Sequence, residues 1–299
     1  MIIMKNTIFT GAGVAIVTPM NADGTVNYDC LGEIIEEQIA NDTDAVIICG
    51  TTGESATLTD EEHRNVISYC IKKVDHRIPV IAGTGSNDTA YAVELSKEAE
   101  KEGADALLLV TPYYNKTSQR GLVAHFTAVA DAVNIPIILY NVPSRTGVSI
   151  SLDTYKTLSK HKNIAAVKEA SGNISSIAKL IAECGDDIDV YSGNDDEIVP
   201  IMALGGKGVI SVLSNVVPHE THMIAKYCLD NDIRKAAELQ LKYLELANAL
   251  FMDVNPIPVK EAMNLMGKNV GECRLPLVKM EQEKIDRLKA VLTGLGLVK

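Results

Sequence analysis

The chain has 299 residues, with 28 basic against 39 acidic side chains and a formal net charge of -11, a balance that nucleic acid and anionic membrane surfaces repel. Apolar residues make up 46% and charged residues 22%, which excludes a disordered chain and leaves room for one large folded domain or two ordinary ones. No apolar run reaches about 18 residues, and the opening MIIMKNTIFT leads into a glycine turn without a signal peptide's apolar core and cleavage site, so the expected location is the cytoplasm.

In chain order, the first apolar, β-branched run covers residues 14–18. A helical pattern over 28–41 follows, with Leu31, Ile34, Ile35 and Ile39 on one face. A second strand is predicted at 45–49, then a helix over 59–74 that opens with a capping box of Thr59 and Glu62 and buries Val66, Ile67, Ile71 and Val74. Strands at 79–82 and 106–110 precede a helical stripe of Leu122, Val123, Phe126, Val129 and Val133. Strands five and six fall at 136–140 and 164–168. Ile174, Ile177, Leu180 and Ile181 then form a helix stopped by Gly185, and the last two strands are 189–191 and 208–212.

The spacing is that of right-handed strand–helix–strand crossovers. Eight such strands predict an α/β fold of the (β/α)8 TIM-barrel type, since open doubly wound sheets more commonly have five or six. Beyond Pro218 only helical stretches occur, broken at 230–232, 255–258 and 267–276. The expected organisation is a catalytic barrel over 1–230 and an all-helical C-terminal appendage over 231–299.

The six cysteines are scattered without CxxC spacing, so they read as buried thiols and no metal centre is expected. Trp is absent and Tyr (10) outnumbers Phe (3), which suggests tyrosines retained for their hydroxyls. Gly83-Thr84-Gly85 lacks the third glycine of a dinucleotide fingerprint. Residues 21–29 lack the closing glutamate of a calcium loop. Asp195, Asp196 and Glu197 read as the cap of the helix after strand seven.

Barrel chemistry belongs at the carboxyl ends of the strands. There the sequence places Gly50-Thr51-Thr52-Gly53-Glu54-Ser55, Tyr113-Tyr114, Tyr140-Asn141, Lys168-Glu169 and Ser192-Gly193-Asn194. Lys168 ends an apolar run and is expected in the barrel mouth, where desolvation disfavours its ammonium form and yields an amine that attacks carbonyl carbon. Tyr140 ends the neighbouring strand, about 5 Å away laterally. Its phenol can carry protons if hydroxyls such as Thr51 and Tyr114 relay them. The 50–53 turn offers amides and hydroxyls to a carboxylate, and Arg145 above Tyr140 offers a guanidinium to a second one.

These motifs, with Asn141-Val142-Pro143-Ser144-Arg145-Thr146-Gly147 and Val167-Lys168-Glu169-Ala170-Ser171-Gly172, resemble the dihydrodipicolinate synthase family of pyruvate-dependent class I aldolases and lyases. The resemblance runs over essentially the whole chain in the same order. It implies condensation of pyruvate with aspartate semialdehyde in lysine and diaminopimelate synthesis, without an organic cofactor or metal. Lys168 would form the Schiff base, Tyr140 would move protons, and Thr51 and a Tyr114 from the neighbouring subunit would complete the relay. Thr52 would hold the pyruvate carboxylate and Arg145 that of the semialdehyde, with Gly193 and Ile210 lining the site. The implied assembly is a homotetramer built as a dimer of dimers.

The rival within the superfamily is N-acetylneuraminate lyase; the rival class is a barrel that binds small carboxylates without turnover. The resemblance also implies an effector pocket of Ser55, Ala56, His63, Asn87, Tyr91 and Tyr113. Lysine-inhibited bacterial members carry histidine where this chain has Asp60 and glutamate where it has Tyr91, so weak or absent inhibition by lysine is expected.

Overall fold

The computed structural model describes residues 7–299; the opening residues 1–6, read above for a leader, lie outside the described residues. Eight parallel strands close a barrel in sequence order: β1 Gly11–Ala15, β2 Ala45–Ile48, β3 Val80–Gly83, β4 Ala106–Val110, β5 Ile137–Asn141, β6 Ile164–Glu169, β7 Asp189–Ser192 and β8 Gly208–Ser211. All eight expected strands are present. The first begins three residues earlier than residues 14–18 suggested. Its bounds are set by pairing of Gly11 to Val14 with Gly208 to Ser211, and after Ala15 the chain leaves the sheet, with the Val17 amide donating to Asn215 Oδ1 at 3.1 Å.

The strands are legible as apolar runs because both of their faces are covered. Outward residues such as Val46, Leu107, Leu139 and Val167 pack with helix residues including Leu31, Ile67, Phe126 and Ile177. Inward residues form a separate cluster of Ile47, Ile81, Leu108, Ile138, Tyr140, Ala166, Tyr191 and Ile210. Tyr191 stacks on Phe9 with ring centroids 4.4 Å apart, and its hydroxyl donates to Phe9 O at 2.6 Å.

The helices around the barrel are α1 Tyr28–Ala40, α2 Asp60–Val74, α3 Thr89–Glu102, α4 Gln119–Ala132, the single turn α5 Pro143–Thr146, α6 Leu152–Leu158, α7 Ile174–Cys184, α8 Ile198–Ala203 and α9 Pro218–Leu229. Side chains at their starts satisfy free amides: Asn27, Asp88, Ser118 and Asn173 each accept from the first turn, and Thr59 with Glu62 forms the expected reciprocal box. In α1, Ile39 is only half-buried. Gln38 takes the inner position because its amide donates to Ser214 O at 2.8 Å and accepts from Thr43.

Then come α10 Ile233–Ala249, α11 Ile257–Leu265 and α12 Gln282–Gly294, with α10 packed on α8, α9 and α12. This helical segment reaches the barrel mouth through a buried ion pair. Lys260 Nζ, on α11, donates to Glu54 Oε1 at 2.8 Å, to Glu272 O at 2.8 Å and to Thr18 O at 3.2 Å. Glu54 Oε2 accepts from the Arg274 amide at 2.9 Å, and both charged side chains are almost fully buried. Glu54 itself adopts φ 54°, a left-handed conformation that costs a non-glycine residue about 1 kcal/mol and persists where surroundings hold it.

Removing one partner of such a pair strands the other charge without water, at a cost of about 3 to 5 kcal/mol. Lys260→Met is therefore expected to lower the urea unfolding midpoint markedly, and Glu54→Gln added to it to restore part of the loss. A single variant with the wild-type midpoint would show that the pair does not hold the segment.

Candidate active site

Side chains alternate along β6, so Ala166 in the inner cluster puts Lys168 on the same face one level higher. Lys168 is buried, and Glu169, its sequence neighbour, faces elsewhere. The Glu169 carboxylate accepts from Asn141 Nδ2 at 3.0 Å, from the Tyr155 hydroxyl at 2.9 Å and from the Ser171 amide at 3.0 Å. Lys168 is thus neither at the solvent nor paired with Glu169. Burial pulls its pKa down to about 8, against an opposing pull from the Asp195 carboxylate, while the Arg145 guanidinium adds to the lowering. At pH 7 about a tenth of the amine is then neutral, against well under a thousandth for an ordinary lysine.

Tyr140 and Lys168 are register partners across β5 and β6, and Lys168 Nζ stands 4.5 Å from the Tyr140 ring centroid. Burial raises the Tyr140 pKa, opposed by Arg145 and by a hydrogen bond with Thr51. The phenol therefore keeps its proton, with the Thr51 hydroxyl as its exchange partner. Thr51 comes from the tight turn after β2, in which the Gly53 and Glu54 amides return to Gly50 O and Thr51 O, both at 3.1 Å. Those of Thr51 and Thr52 are not among these inward bonds.

Thr52 is buried, and its Oγ1 accepts from Asn255 Nδ2 at 3.0 Å. Arg145 sits on α5 above β5, exposed, with Nη2 donating to Asn255 O at 3.3 Å. Gly193 follows β7, with its amide bonded to Glu169 O at 2.8 Å. A Cβ there would come within 2.7 Å of Ala170 Cβ, so only glycine fits. Ile210 lies in the inner cluster with Tyr140. Lys168, Tyr140, Thr51, Thr52, Arg145, Gly193 and Ile210 thus occupy one end of the barrel.

Tyr114 does not join them within this chain. It is 91% exposed, with φ 68°, on the loop after β4. The expected effector residues have varied surroundings. His63 is buried with Nε2 2.8 Å from Gly83 O, Asn87 Nδ2 donates to Tyr113 O at 3.1 Å, and Ser55 and Ala56 start a short turn of tighter helix. The Tyr91 hydroxyl donates to Asp60 Oδ1 at 2.8 Å, and Arg64 Nε donates to Asp60 Oδ2 at 2.9 Å.

Two features escaped the sequence reading. Asp195 does not cap the helix after β7: it is buried, and its Oδ2 accepts from the Val212 and Leu213 amides at 3.1 and 2.9 Å, after β8. Burial raises its pKa while Lys168 opposes the rise. It is the anionic neighbour of the amine, brought there by the closure between β7 and β8, which no local pattern encodes. Asn255 lay in a stretch marked only as a helix break. Among the described residues no cluster of three or more His, Cys, Asp or Glu is placed to hold a metal ion, and the six cysteines are unpaired.

The geometry can be set against known proteins. A model of the dihydrodipicolinate synthetase family matches residues 8–295. A 4-hydroxy-tetrahydrodipicolinate synthase of Acetivibrio thermocellus is 55% identical over 295 residues, 99% of this chain and all of that one. The crystal structure of a chloride-inhibited dihydrodipicolinate synthase from Acinetobacter baumannii, complexed with pyruvate, superposes with a TM-score of 0.96 at 43% identity, covering 98% of this chain and 100% of that one. A further structure, of a synthase described as the first monomeric variant, gives a TM-score of 0.95 at 39% identity, covering 97% and 98%. A buried strand-end lysine beside a tyrosine, in a barrel matched along almost its whole length, leads to one conclusion: the chain belongs to the dihydrodipicolinate synthetase family.

Proposed function

We propose that this chain is a 4-hydroxy-tetrahydrodipicolinate synthase, a lyase that condenses pyruvate with aspartate semialdehyde in the synthesis of lysine and diaminopimelate, acting in the cytoplasm. The observation that carries this reading is the Lys168 amine, buried at a strand end with its Nζ 4.5 Å from the Tyr140 ring centroid. The neutral amine attacks the pyruvate carbonyl carbon and gives a carbinolamine, which loses water to leave an imine. Tyr140 supplies and recovers the protons of these steps, and Thr51 exchanges with it. Loss of a methyl proton then gives an enamine, whose carbon attacks the aldehyde. Thr52 holds the pyruvate carboxylate and Arg145 that of the semialdehyde, with Gly193 and Ile210 as walls.

Only deprotonated Lys168 is a nucleophile, and its pKa is held near about 8. Borohydride trapping of pyruvate should therefore speed up about tenfold per pH unit below that value and level off above it. Lys168→Ala should gain no mass. Equal trapping in that variant, or a rate flat from pH 6 to pH 9 in the wild type, would exclude Lys168 as the Schiff-base residue.

Tyr114 completes the relay from a partner subunit in this reading, with a dimer as the smallest complete unit and a dimer of dimers as the assembly. Its 91% exposure on the loop after β4 supports that placement. Tyr114→Phe and Lys168→Ala should each be nearly inactive alone. Mixed and allowed to exchange subunits, they should recover up to about a quarter of wild-type activity, because half of the random pairs carry one intact site. No recovery despite verified exchange would show that Tyr114 serves its own chain.

Inhibition by lysine is absent or weak. A phenol, Tyr91, stands where inhibited members have the glutamate, and the nearby Asp60 carboxylate, at their histidine position, is already engaged by Arg64 and by the Tyr91 hydroxyl, which both hold its pKa down. A bound ammonium would lack a free counter-charge, at a cost of about 10- to 200-fold in affinity. In a lysine titration near the Michaelis concentrations, activity should persist beyond the sub-millimolar range; half-inhibition within that range would contradict it.

A further inference from the structure

Asn255 lies between α10 and α11, outside the strand-end loops, and is 5% exposed. It touches two of the groups assigned above to carboxylates. Its Nδ2 donates to Thr52 Oγ1 at 3.0 Å, and its main-chain oxygen accepts from Arg145 Nη2 at 3.3 Å. Its Oδ1 is buried without a hydrogen-bond partner. An orphaned acceptor of this kind is costly and calls for a reason.

The orientation of the amide supplies one. A threonine hydroxyl has one hydrogen to give. With the amide nitrogen against Oγ1, Thr52 accepts from Asn255 and keeps its hydrogen for a ligand. With the amide oxygen there instead, that hydrogen would be spent within the protein, and a carboxylate would meet only lone pairs.

We propose that Asn255 is a positioning residue that commits the Thr52 hydroxyl to donate to the carboxylate of a 2-oxo acid, while its main-chain oxygen sets Arg145 at a fixed spacing from it. The proposal rests on the role given to Thr52 in the proposed function. The helical C-terminal segment thereby helps to select the substrate class, although it carries no reacting group.

The test is steady-state kinetics of the full-length Asn255→Asp enzyme, with thermal unfolding alongside. The introduced carboxylate only accepts, so it takes the Thr52 hydrogen and repels the substrate. The pyruvate KM should rise about 10- to 100-fold, with kcat within about threefold and the aldehyde KM nearly unchanged. Asn255→Ala, which adds no charge, should raise the pyruvate KM less, and combining it with Thr52→Val should add nothing to the effect of Thr52→Val alone. The Asn255→Ala and Thr52→Val cycle decides the matter by itself if the aspartate variant does not fold.

Additive losses in the cycle, an unchanged pyruvate KM, or equal rises for both substrates with a lowered melting temperature would overturn the proposal, the last by showing a mere loop brace. Wild-type enzyme that traps pyruvate while Asn255→Asp keeps a normal KM would remove only this role. Wild-type enzyme that traps none would remove the proposed function and this role together.

Discussion

A closed eight-stranded barrel turns every second side chain of β6 inward, into a space with no room for bulk water. Alternation from Ala166 carries Lys168 into that space, and the amine loses its hydration. A pKa near about 8, against the usual value of about 10.4, represents roughly 3 kcal/mol taken from the ammonium form. Burial wins over Asp195 because that carboxylate is itself desolvated and already bound to two backbone amides. The chemistry of the mouth depends on this one dry position: an amine made nucleophilic by burial, and beside it a phenol that stays protonated because it is buried too.

The surrounding groups are held by bonds that cross the molecule. Thr51 and Thr52 sit on a turn whose next residue, Glu54, is in a left-handed conformation and is tied to Lys260 and the Arg274 amide. Asn255 reaches Thr52 and Arg145 from the same C-terminal stretch. Three residues after the barrel helices, Asn255, Lys260 and Arg274, thus brace one turn and one short helix at the mouth. The strand ends supply rigid positions, and the helical segment supplies aim.

On the flank, charge is spent locally. Arg64 binds Asp60 and Glu94, the Tyr91 hydroxyl binds Asp60, and Arg274 binds Glu62 and the Thr57 carbonyl. A carboxylate engaged in this way has little left to offer an incoming cation. The same logic separates Glu169 from catalysis: it follows Lys168 directly, yet its oxygens are occupied by Asn141, Tyr155 and Ser171 on the opposite face of β6.

Strands buried on both faces must be apolar along their length, so all eight could be read as apolar, β-branched runs; four of the helices between them showed a 3.6-residue stripe, one of them with its capping box. Lys168 stood out for the same reason, as a cation at the end of an apolar run, and Tyr140 was next to it because parallel neighbours align their ends. The start of β1 was misplaced because Gly11 and Gly13 carry no side chain to signal a strand, and pairing with β8 decides it. Asp195 and Asn255 were invisible because their partners lie 17 and 203 residues away in sequence. The sequence determined which elements form and which side chain would be stripped of water; only tertiary closure decided that the Asp195 carboxylate would neighbour it and that the Asn255 amide would meet Thr52, because hydrogen bonds between loops leave no periodic trace in the chain.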